Sequence, residues 1–212
     1  QQTTAAQQLQ VKAYYCPARR APTQLSAPGD KPDNSSPTAN NYPGALSDYA
    51  GCAGNAASYA TLNPIWMDSP QAPGAIVSSN VCLPNSGGIV GGQVPAFKGM
   101  VPLTGITDGT SNTMLVGEKQ VPTASFGVSV GDGSIYCGDH EWNYTRAVGP
   151  GVPLAAGPTD TTAWTNKFGS SHSGVVQFVF ADGSVRSLPT STSTTVLGGL
   201  ATRNGGEAVS VP

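Results

Sequence analysis

The clearest hydrophobic pattern of the chain lies between residues 174 and 188. Two apolar runs, 175–180 and 185–188, flank the segment Ala181-Asp182-Gly183-Ser184. Asp-Gly between apolar runs is a strong β-hairpin signal, because a type I′ turn needs positive φ at both central positions. Gly adopts that conformation freely, and Asp tolerates it better than most residues. The sequence therefore predicts a β-hairpin with a type I′ turn.

Other apolar runs predict further strands and one helix. Residues 113–118 follow the turn Thr107-Asp108-Gly109 and form the best of the remaining strand candidates. The weaker candidates are residues 11–15, 75–78, 88–94 and a strand pair within 126–136, around Gly131-Asp132-Gly133. Residues 194–203 predict a short helix capped by Thr194 or Thr195 and stopped at Asn204-Gly205. Residues 1–10 predict the end of a helix or a frayed arm.

The segments between these elements are rich in Pro, Gly, Ser and Thr and carry no repeat and no domain-grade linker. Gly (27) and Pro (18) together stay below the level of disordered sequence, and the apolar runs can offset the entropy lost on folding. We therefore expect a single domain over residues 1–212. It should be loop-rich and mainly β (α+β), with a short C-terminal helix.

Charge is scarce in this chain. Charged residues make up 10 % of it, against about 25 % in an average domain, and the formal net charge is −2. Arg19-Arg20 is the largest basic cluster, which disfavours nucleic acids and anionic membranes as partners. No apolar run approaches the roughly 20 residues that a membrane-spanning helix needs, so the chain as given should be soluble. A surface of neutral hydroxyls and amides favours an exported protein, extracellular or at the cell surface.

The four cysteines are Cys16, Cys52, Cys82 and Cys137. Their number is even and their spacing is not of a metal-binding type, so in an exported protein we expect one or two disulfides. The pairing does not follow from the sequence. Cys16 and Cys52 flank a long loop, residues 17–48, and a disulfide between them would tether it. The alternative is four unrelated buried thiols.

Candidate catalytic groups are few. The histidines are His140 and His172, and the chain has no Gly-x-Ser-x-Gly elbow. Serines adjoin His172, but the members of a catalytic triad are rarely sequence neighbours. Asp139-His140-Glu141 lacks the second His or Cys pair that a transition-metal site normally uses. We therefore expect a protein that is not an enzyme, with no catalytic residue and no metal or cofactor.

Five acidic residues adjoin glycines: Asp30, Asp108, Asp132, Asp139 and Asp182. Turn chemistry accounts for them, because Asp side chains bond the backbone locally and Gly supplies positive φ. A structural calcium ion is the alternative, since carboxylates and loop carbonyls are the oxygen ligands that calcium prefers.

Four blocks of sequence carry a family resemblance. His172 is followed by nine residues and then Asp182-Gly183, which resembles the H-x9-DG signature of the DUF1559 family, pilin-like proteins abundant in Planctomycetes. Residues 106–119 (ITDGTSNTMLVGEK) and 11–17 (VKAYYCP) are similar to two other blocks of that family. Residues 197–207 resemble its C-terminus. The blocks follow in the expected order over nearly the whole chain.

The resemblance implies a fold and a role. Members of the family are similar to type IV pilins and pseudopilins, in which an apolar helix packs on an antiparallel sheet. That helix is not in this sequence, so we expect membrane attachment only through a segment that this chain lacks. No catalytic residues are implied. The motif residues to which we give a structural role are His172, Asp182, Gly183, Asp108, Gly109, Asn112 and Glu118.

His172 suggests a specific hypothesis. At the base of the hairpin, its imidazole would bond a loop carbonyl or a carboxylate and fix the block 106–118 against the last part of the sheet. The alternative is that His172 merely begins a strand. In the first case, His172→Ala should lower the melting temperature by roughly a few degrees, through a hydrogen bond worth about 1 kcal/mol.

Two functions fit these expectations. The first is a non-catalytic structural subunit of a pilin-like surface assembly, whose partners are copies of itself or other surface proteins. The second is an extracellular module that binds glycans or proteins through its loops and exposed tryptophans, Trp66, Trp142 or Trp164.

Overall fold

The computed structural model describes residues 3–26, 43–59, 72–77, 99–128, 131–136, 141–207 and 209. Its strands are β1 (Tyr49–Asn55), β2 (Met114–Glu118), β3 (Thr145–Val148), β4 (Val175–Phe180) and β5 (Val185–Pro189). Its α-helices are α1 (Thr4–Gln7), α2 (Ala56–Tyr59) and α3 (Thr194–Ala201). Single 3-10 turns span Lys12–Tyr14, Leu103–Gly105, Thr110–Asn112, Thr123–Ser125, Glu141–Asn143 and Trp164–Asn166. The mainly β, α+β class is thereby confirmed.

The strands form one mixed sheet in the order β3-β1-β2-β4-β5. Neighbouring strands are antiparallel except β1 and β3, which run parallel. The expectation of an antiparallel sheet is therefore wrong at the edge formed by β3. After β2 the chain makes a long connection, residues 119–144, and returns beside β1 in the same direction. All four residues of β3 are buried, as is typical of a parallel strand covered on both faces.

The hairpin of β4 and β5 is confirmed, with Val179 opposite Val185. Its turn is not type I′, because Gly183 has φ of +83° while Asp182 does not have a positive φ. Gly183 N–H donates to the carbonyl of Phe180, and Phe180 N–H donates to the carbonyl of Ser184, each at 2.9 Å. This is the pattern of a type I turn that ends in a left-handed glycine bulge. The ability of Asp to adopt a positive φ is therefore not needed at residue 182.

One face of the sheet carries the apolar core. Along β4, Val176, Phe178 and Phe180 are buried while their neighbours are only partly so, which is the period of two expected of a strand covered on one face. Helix α3 packs on this face through Leu197 and Leu200. The other buried members of this core are Ala50, Cys52, Met114, Val148, Leu154, Phe168, Leu188 and Ala201.

Helix α3 is confirmed, with different ends. Its cap is Ser193, whose Oγ accepts a hydrogen bond from Val196 N–H at 3.3 Å, and not Thr194 or Thr195. It ends at Ala201, because Thr202 is already extended, so Asn204-Gly205 is not its stop. Gly198 has a packing reason: a Cβ there would lie 2.8 Å from the Asn55 side chain.

Several weaker strand predictions are wrong. Residues 11–15 form the 3-10 turn Lys12–Tyr14, closed by a bond from Tyr14 N–H to Val11 carbonyl. Residues 75–77 are bends and coil, and residues 126–128 and 131–136 form turns and coil. These runs are short, and in the described part of the chain no strand pairs with them. The candidate 88–94 lies outside the described residues.

The N-terminal segment forms a single turn of helix, α1, whose Thr3 side chain accepts a bond from Ala6 N–H. Of the predicted loop 17–48, residues 17–26 and 43–48 are described and contain turns and an isolated bridge between Leu25 and Ala45. Among the residues described, no helix is long and apolar enough to cross a membrane.

Candidate functional site

A buried cluster of charges joins the start of the chain to the connection between β2 and β3. Asp132 is fully buried and pairs with Arg20 at 2.5 and 2.8 Å and with Lys119 at 3.2 Å. Arg20 also reaches Asp48, 2.8 Å away. Burial opposes ionisation of Asp132, but Lys119 and Arg20 outweigh it and lower the pKa of its carboxyl. This cluster holds segments together and exposes none of its charges.

Arg146 on β3 is a second fully buried cation. Its guanidinium donates to backbone carbonyls, among them Lys167 at 3.1 Å and Gly131 at 2.8 Å. Burial lowers the pKa of Arg146 to about 9, and burial likewise lowers the pKa of Lys119 to about 8. Both groups are surrounded by protein, so we assign them to the architecture and not to binding or catalysis.

Cys16, Glu118 and His172 meet at the end of β2. The Sγ atom of Cys16 lies 3.6 Å from His172 Nε2, and Glu118 Oε1 lies 3.5 Å from the same nitrogen. One ligand-type atom from each residue lies within 4.8 Å of the others. The side chain of His172 is 39 % exposed while that of Glu118 is 1 % exposed, so the group opens to solvent only on the histidine side.

Local structure holds each of the three side chains. Cys16 follows the turn Lys12–Tyr14, and its N–H donates to Asp48 Oδ2 at 2.8 Å. Glu118 is the last residue of β2, and its Oε2 accepts a bond from Gln177 N–H at 2.8 Å. His172 precedes β4, where its N–H donates to Ser170 Oγ at 3.0 Å. The other oxygen, Glu118 Oε1, is buried and has no hydrogen-bond partner.

This trio is not arranged as a catalytic relay. In a Cys-His-acid triad the thiol and the acid use opposite nitrogens of the imidazole. Here the sulfur and the carboxylate oxygen face the same nitrogen, Nε2. Burial, followed by the nearby carboxylate of Glu118, raises the pKa of the Cys16 thiol, which is the reverse of what a nucleophile needs.

A cleft of about 310 Å³ lies on the sheet face opposite α3. Tyr49 and Gly51 of β1 form its floor and alternate with the core residues Ala50 and Cys52, and Val116 of β2 joins them beyond the bulge that follows Met114. Its walls carry the further aromatic and apolar side chains Tyr14, Ile135, Tyr136 and Tyr144. Tyr14 is 45 % exposed, so the aromatic rim of the cleft is open to solvent.

One protein family accounts for most of the sequence. Its sequence model, described as a protein of unknown function (DUF1559), matches residues 1–195. The chain belongs to this family. No curated protein and no solved structure matches it. The family indicated by the sequence blocks is therefore confirmed, and its description leaves the function open.

Three blocks that carried the DUF1559 resemblance converge in space. Residues 11–17 contribute Cys16, residues 106–119 contribute Glu118, and the block that begins near His172 contributes His172 itself. Farther along, Ala181 N–H donates to Thr113 carbonyl at 2.9 Å, and Asp182 N–H donates to Thr110 carbonyl at 3.0 Å. His172 thus lies against a carboxylate of the central block, the contact that the sequence hypothesis named as one of its options.

The remaining motif residues serve turns and termini. Asp108 accepts bonds from Gly205 N–H at 2.7 Å and Gly206 N–H at 2.9 Å, which ties the central block to the C-terminal segment. Gly109 has φ of +97°, and Asn112 Nδ2 donates to the Asp108 carbonyl at 3.4 Å. None of these three residues belongs to the Cys16–Glu118–His172 group.

The disulfide between Cys16 and Cys52, one of the pairings that the sequence left open, is absent, because both thiols are free and buried. Cys52 lies in the apolar core under α3, whereas Cys16 lies beside Glu118 and His172. The residues Cys82 and Cys137 lie outside the described ranges. Sequence reasoning treated Cys16 only as a possible disulfide cysteine and missed its place beside His172. The available signal was that Cys16, Glu118 and His172 each lie in a block that resembles the family.

Other candidate binding residues are less exposed or already engaged. Trp142 and Trp164 are half-buried, so the expectation that they are exposed is wrong, and Trp66 and His140 lie outside the described residues. Asp182 accepts a hydrogen bond from Ser184 N–H, and Asp132 forms an ion pair with Arg20. The Gly-flanked acids of the described ranges therefore have protein partners, and a structural calcium ion stays a prediction that these turns do not favour. Asp30 and Asp139 lie outside those ranges.

Proposed function

We propose that this chain is a non-catalytic subunit of an extracellular or cell-surface assembly, and that the tyrosine-lined cleft binds a neighbouring copy. The observation that carries the proposal is the cleft itself, which gathers four tyrosines on the sheet face opposite α3 and opens to solvent at Tyr14. Tyrosine is enriched in protein interfaces, because its ring buries much area at little entropic cost while its hydroxyl keeps a polar partner.

The distribution of ionisable groups supports a role without catalysis. In the described part of the chain, the buried charges of Arg20, Asp132 and Lys119 are paired with one another. Cys16 and Glu118 face one nitrogen of His172 and do not form a relay. These groups stabilise the fold and join its segments, which is what a structural subunit requires.

The proposed location rests on composition. Few charges and many neutral polar side chains suit a surface exposed outside the cell. Because the thiols of Cys16 and Cys52 are free, no disulfide between these two residues supports an extracellular location. Pilin-like membership of a filament is part of the same proposal, and electron microscopy is its direct test.

The test compares self-association of the wild-type chain with that of Tyr14→Ala. Sedimentation velocity over a wide concentration range should show association, and negative-stain micrographs should show regular assemblies. Removal of an exposed aromatic at the centre of an interface typically costs over 1 kcal/mol, so Tyr14→Ala should weaken association about tenfold. The matched control is Leu103→Ala, an exposed apolar residue that does not line the cleft and should change nothing.

A chain that stays monomeric at all concentrations, with no assemblies in micrographs, would reject self-association. So would equal effects of Tyr14→Ala and Leu103→Ala, because the contact would then not use the cleft. Circular dichroism of both variants distinguishes loss of contact from loss of fold.

The second candidate is binding of a glycan in the same cleft. Aromatic rings stack on the apolar faces of sugars, and Ser47 and Asn143 add polar groups to the lining. A glycan array should then give signals that Tyr14→Ala removes and Leu103→Ala keeps. A monomeric chain with such signals would favour this candidate over assembly.

A further inference from the structure

We infer that Cys16, Glu118 and His172 form a binding site for a single transition-metal ion of the Zn²⁺ type. Each residue offers one ligand atom to a common point: a sulfur, a carboxylate oxygen and an imidazole nitrogen. This combination of soft and borderline ligands suits Zn²⁺ and its neighbours in the first transition row, and does not suit calcium or magnesium.

Two of the three distances between the ligand atoms match those of a tetrahedral ion. Bonds of about 2.3 Å to sulfur and about 2.0 Å to nitrogen and oxygen place sulfur and nitrogen about 3.6 Å apart, and nitrogen and oxygen about 3.3 Å apart. The structure has 3.6 Å from Cys16 Sγ to His172 Nε2 and 3.5 Å from His172 Nε2 to Glu118 Oε1. The third pair, Cys16 Sγ and the Glu118 carboxylate, lies within 4.8 Å, and binding of the ion would draw these two atoms to about 3.6 Å by rotation of the side chains.

A second observation points to a ligand. Glu118 is almost completely buried, and its Oε1 is directed at the site without a hydrogen-bond partner. A buried carboxylate oxygen normally accepts a hydrogen bond or binds a cation, because leaving it unsatisfied is costly. The other oxygen, Oε2, is held by Gln177 N–H, which fixes the direction of Oε1.

The surroundings of the site support the backbone of one ligand and leave a place for a fourth. Cys16 N–H is anchored on Asp48, and Asp48 is held in turn by Arg20, so the backbone that carries the thiol is held in place. The partly exposed His172 leaves one side of the site open to water, which can supply the fourth ligand. When the ion binds, the Cys16 thiol releases its proton to solvent and a sulfur–metal bond forms.

The consequence for the molecule is a link between three distant parts of the chain. The ion would join the segment after the turn Lys12–Tyr14, the end of β2 and the entry to β4. No covalent bond joins Cys16 to Cys52, so the metal would fasten the N-terminal segment to the sheet in place of that disulfide. This inference does not depend on the tyrosine-lined cleft or on self-association.

The experiment adds Zn²⁺ or Co²⁺ to reduced, metal-free protein. One ion per chain should bind, and Co²⁺ should give the charge-transfer absorption of a thiolate ligand with the visible bands of a tetrahedral centre. At zinc a hundredfold above the dissociation constant, the melting temperature should rise by roughly 5–10 °C. No shift and no cobalt spectrum in the wild-type protein would overturn the inference, whatever the variants do.

Variants locate the ion. Cys16→Ser should abolish the thiolate absorption, and His172→Ala should remove both the metal and the gain in melting temperature. Cys52→Ala removes a buried thiol of the apolar core and is the matched control, so its cobalt spectrum should equal that of the wild type. A site built from Cys82, Cys137 or His140 would survive both Cys16→Ser and His172→Ala, and that result would also overturn the assignment.

Discussion

Two buried regions of the molecule are held together by opposite kinds of chemistry. Between β4, β5 and α3 the contacts are apolar, and the Phe168 and Phe178 rings meet edge to face with centroids 5.1 Å apart. On the side of the N-terminal segment, buried side chains such as Arg20 and Asp132 are charged. The apolar region combines two local elements, the β4–β5 hairpin and α3, with residues of β1 and β2, whereas the charged region joins residues that are far apart in sequence. Close packing makes the first region sensitive to changes of shape, and burial of ion pairs makes the second sensitive to changes of charge.

The largest expected effect is that of Asp132→Asn. The substitution keeps the shape of the side chain but leaves Arg20 and Lys119 buried without their shared counter-charge. Breaking one partner out of a buried ion pair typically costs about 3–5 kcal/mol. Urea denaturation at pH 7 should show that loss in the free energy of unfolding.

The matched control is Asp182→Asn, which removes the same charge from the pair with Arg186 at the tip of the hairpin. That pair is accessible to solvent, so the midpoint of unfolding should hardly change. If Asp132→Asn were as mild as Asp182→Asn, the charges of the buried cluster would contribute nothing beyond shape, and the contrast between the two regions would fail.

This contrast also explains which parts of the fold the sequence could predict. The hairpin and α3 were predictable because their signals, Asp182-Gly183 and the apolar face of Leu197 and Leu200, lie within a few residues. The partners Arg20 and Asp132 are separated by 112 positions, and no local pattern relates them. Asp132 lies between two glycines and was interpreted as a turn residue, although its side chain is fully buried.

The candidate site was half predictable for the same reason. His172 and Glu118 belong to recognisable blocks, and a contact between the imidazole and a carboxylate was among the options for His172. Cys16 could not be placed, because its approach depends on Asp48, which holds the backbone of Cys16 from a distant loop. The parallel β3 also escaped prediction, since its direction depends on the path of the connection 119–144.

A smaller effect is expected for Gly117→Ala in the apolar region. A Cβ at residue 117 would lie 2.5 Å from the Phe178 ring and 2.8 Å from the Phe168 ring, so both rings must move. Overpacking of a close-packed core typically costs about 1–3 kcal/mol, which thermal or urea unfolding will measure. The charge cluster should remain intact, so the cost belongs to shape alone.

Gly157→Ala is the control for this substitution, because nothing lies within 4 Å of a Cβ at residue 157 and its φ is not positive. It should be neutral or slightly stabilising, since alanine restricts the unfolded chain. Equal stability of the two alanine variants would mean that the rings of Phe168 and Phe178 have room to spare, and the apolar region would not be shape-limited.

The smallest effect concerns the thiol of the apolar region. Burial raises the pKa of Cys52 to about 12, whereas an unfolded thiol titrates near 8.5. Between these values the unfolded chain holds fewer protons than the folded one, so the contribution of Cys52 to stability falls as pH rises. By pH 9.5 the wild type should lose about 1.4 kcal/mol relative to Cys52→Ala, measured as the change in their stability difference from pH 7.

Val176→Ala makes the necessary control, because it shortens a fully buried side chain of the same core without removing an ionisable group. Its cost should be the same at pH 7 and pH 9.5, while that of Cys52→Ala should shrink. Other groups that titrate in this range are common to all three proteins, so they cancel in the differences. A pH-independent cost for Cys52→Ala would show that water reaches the thiol, and the region beneath α3 would then not be the dry, close-packed counterpart of the charged side.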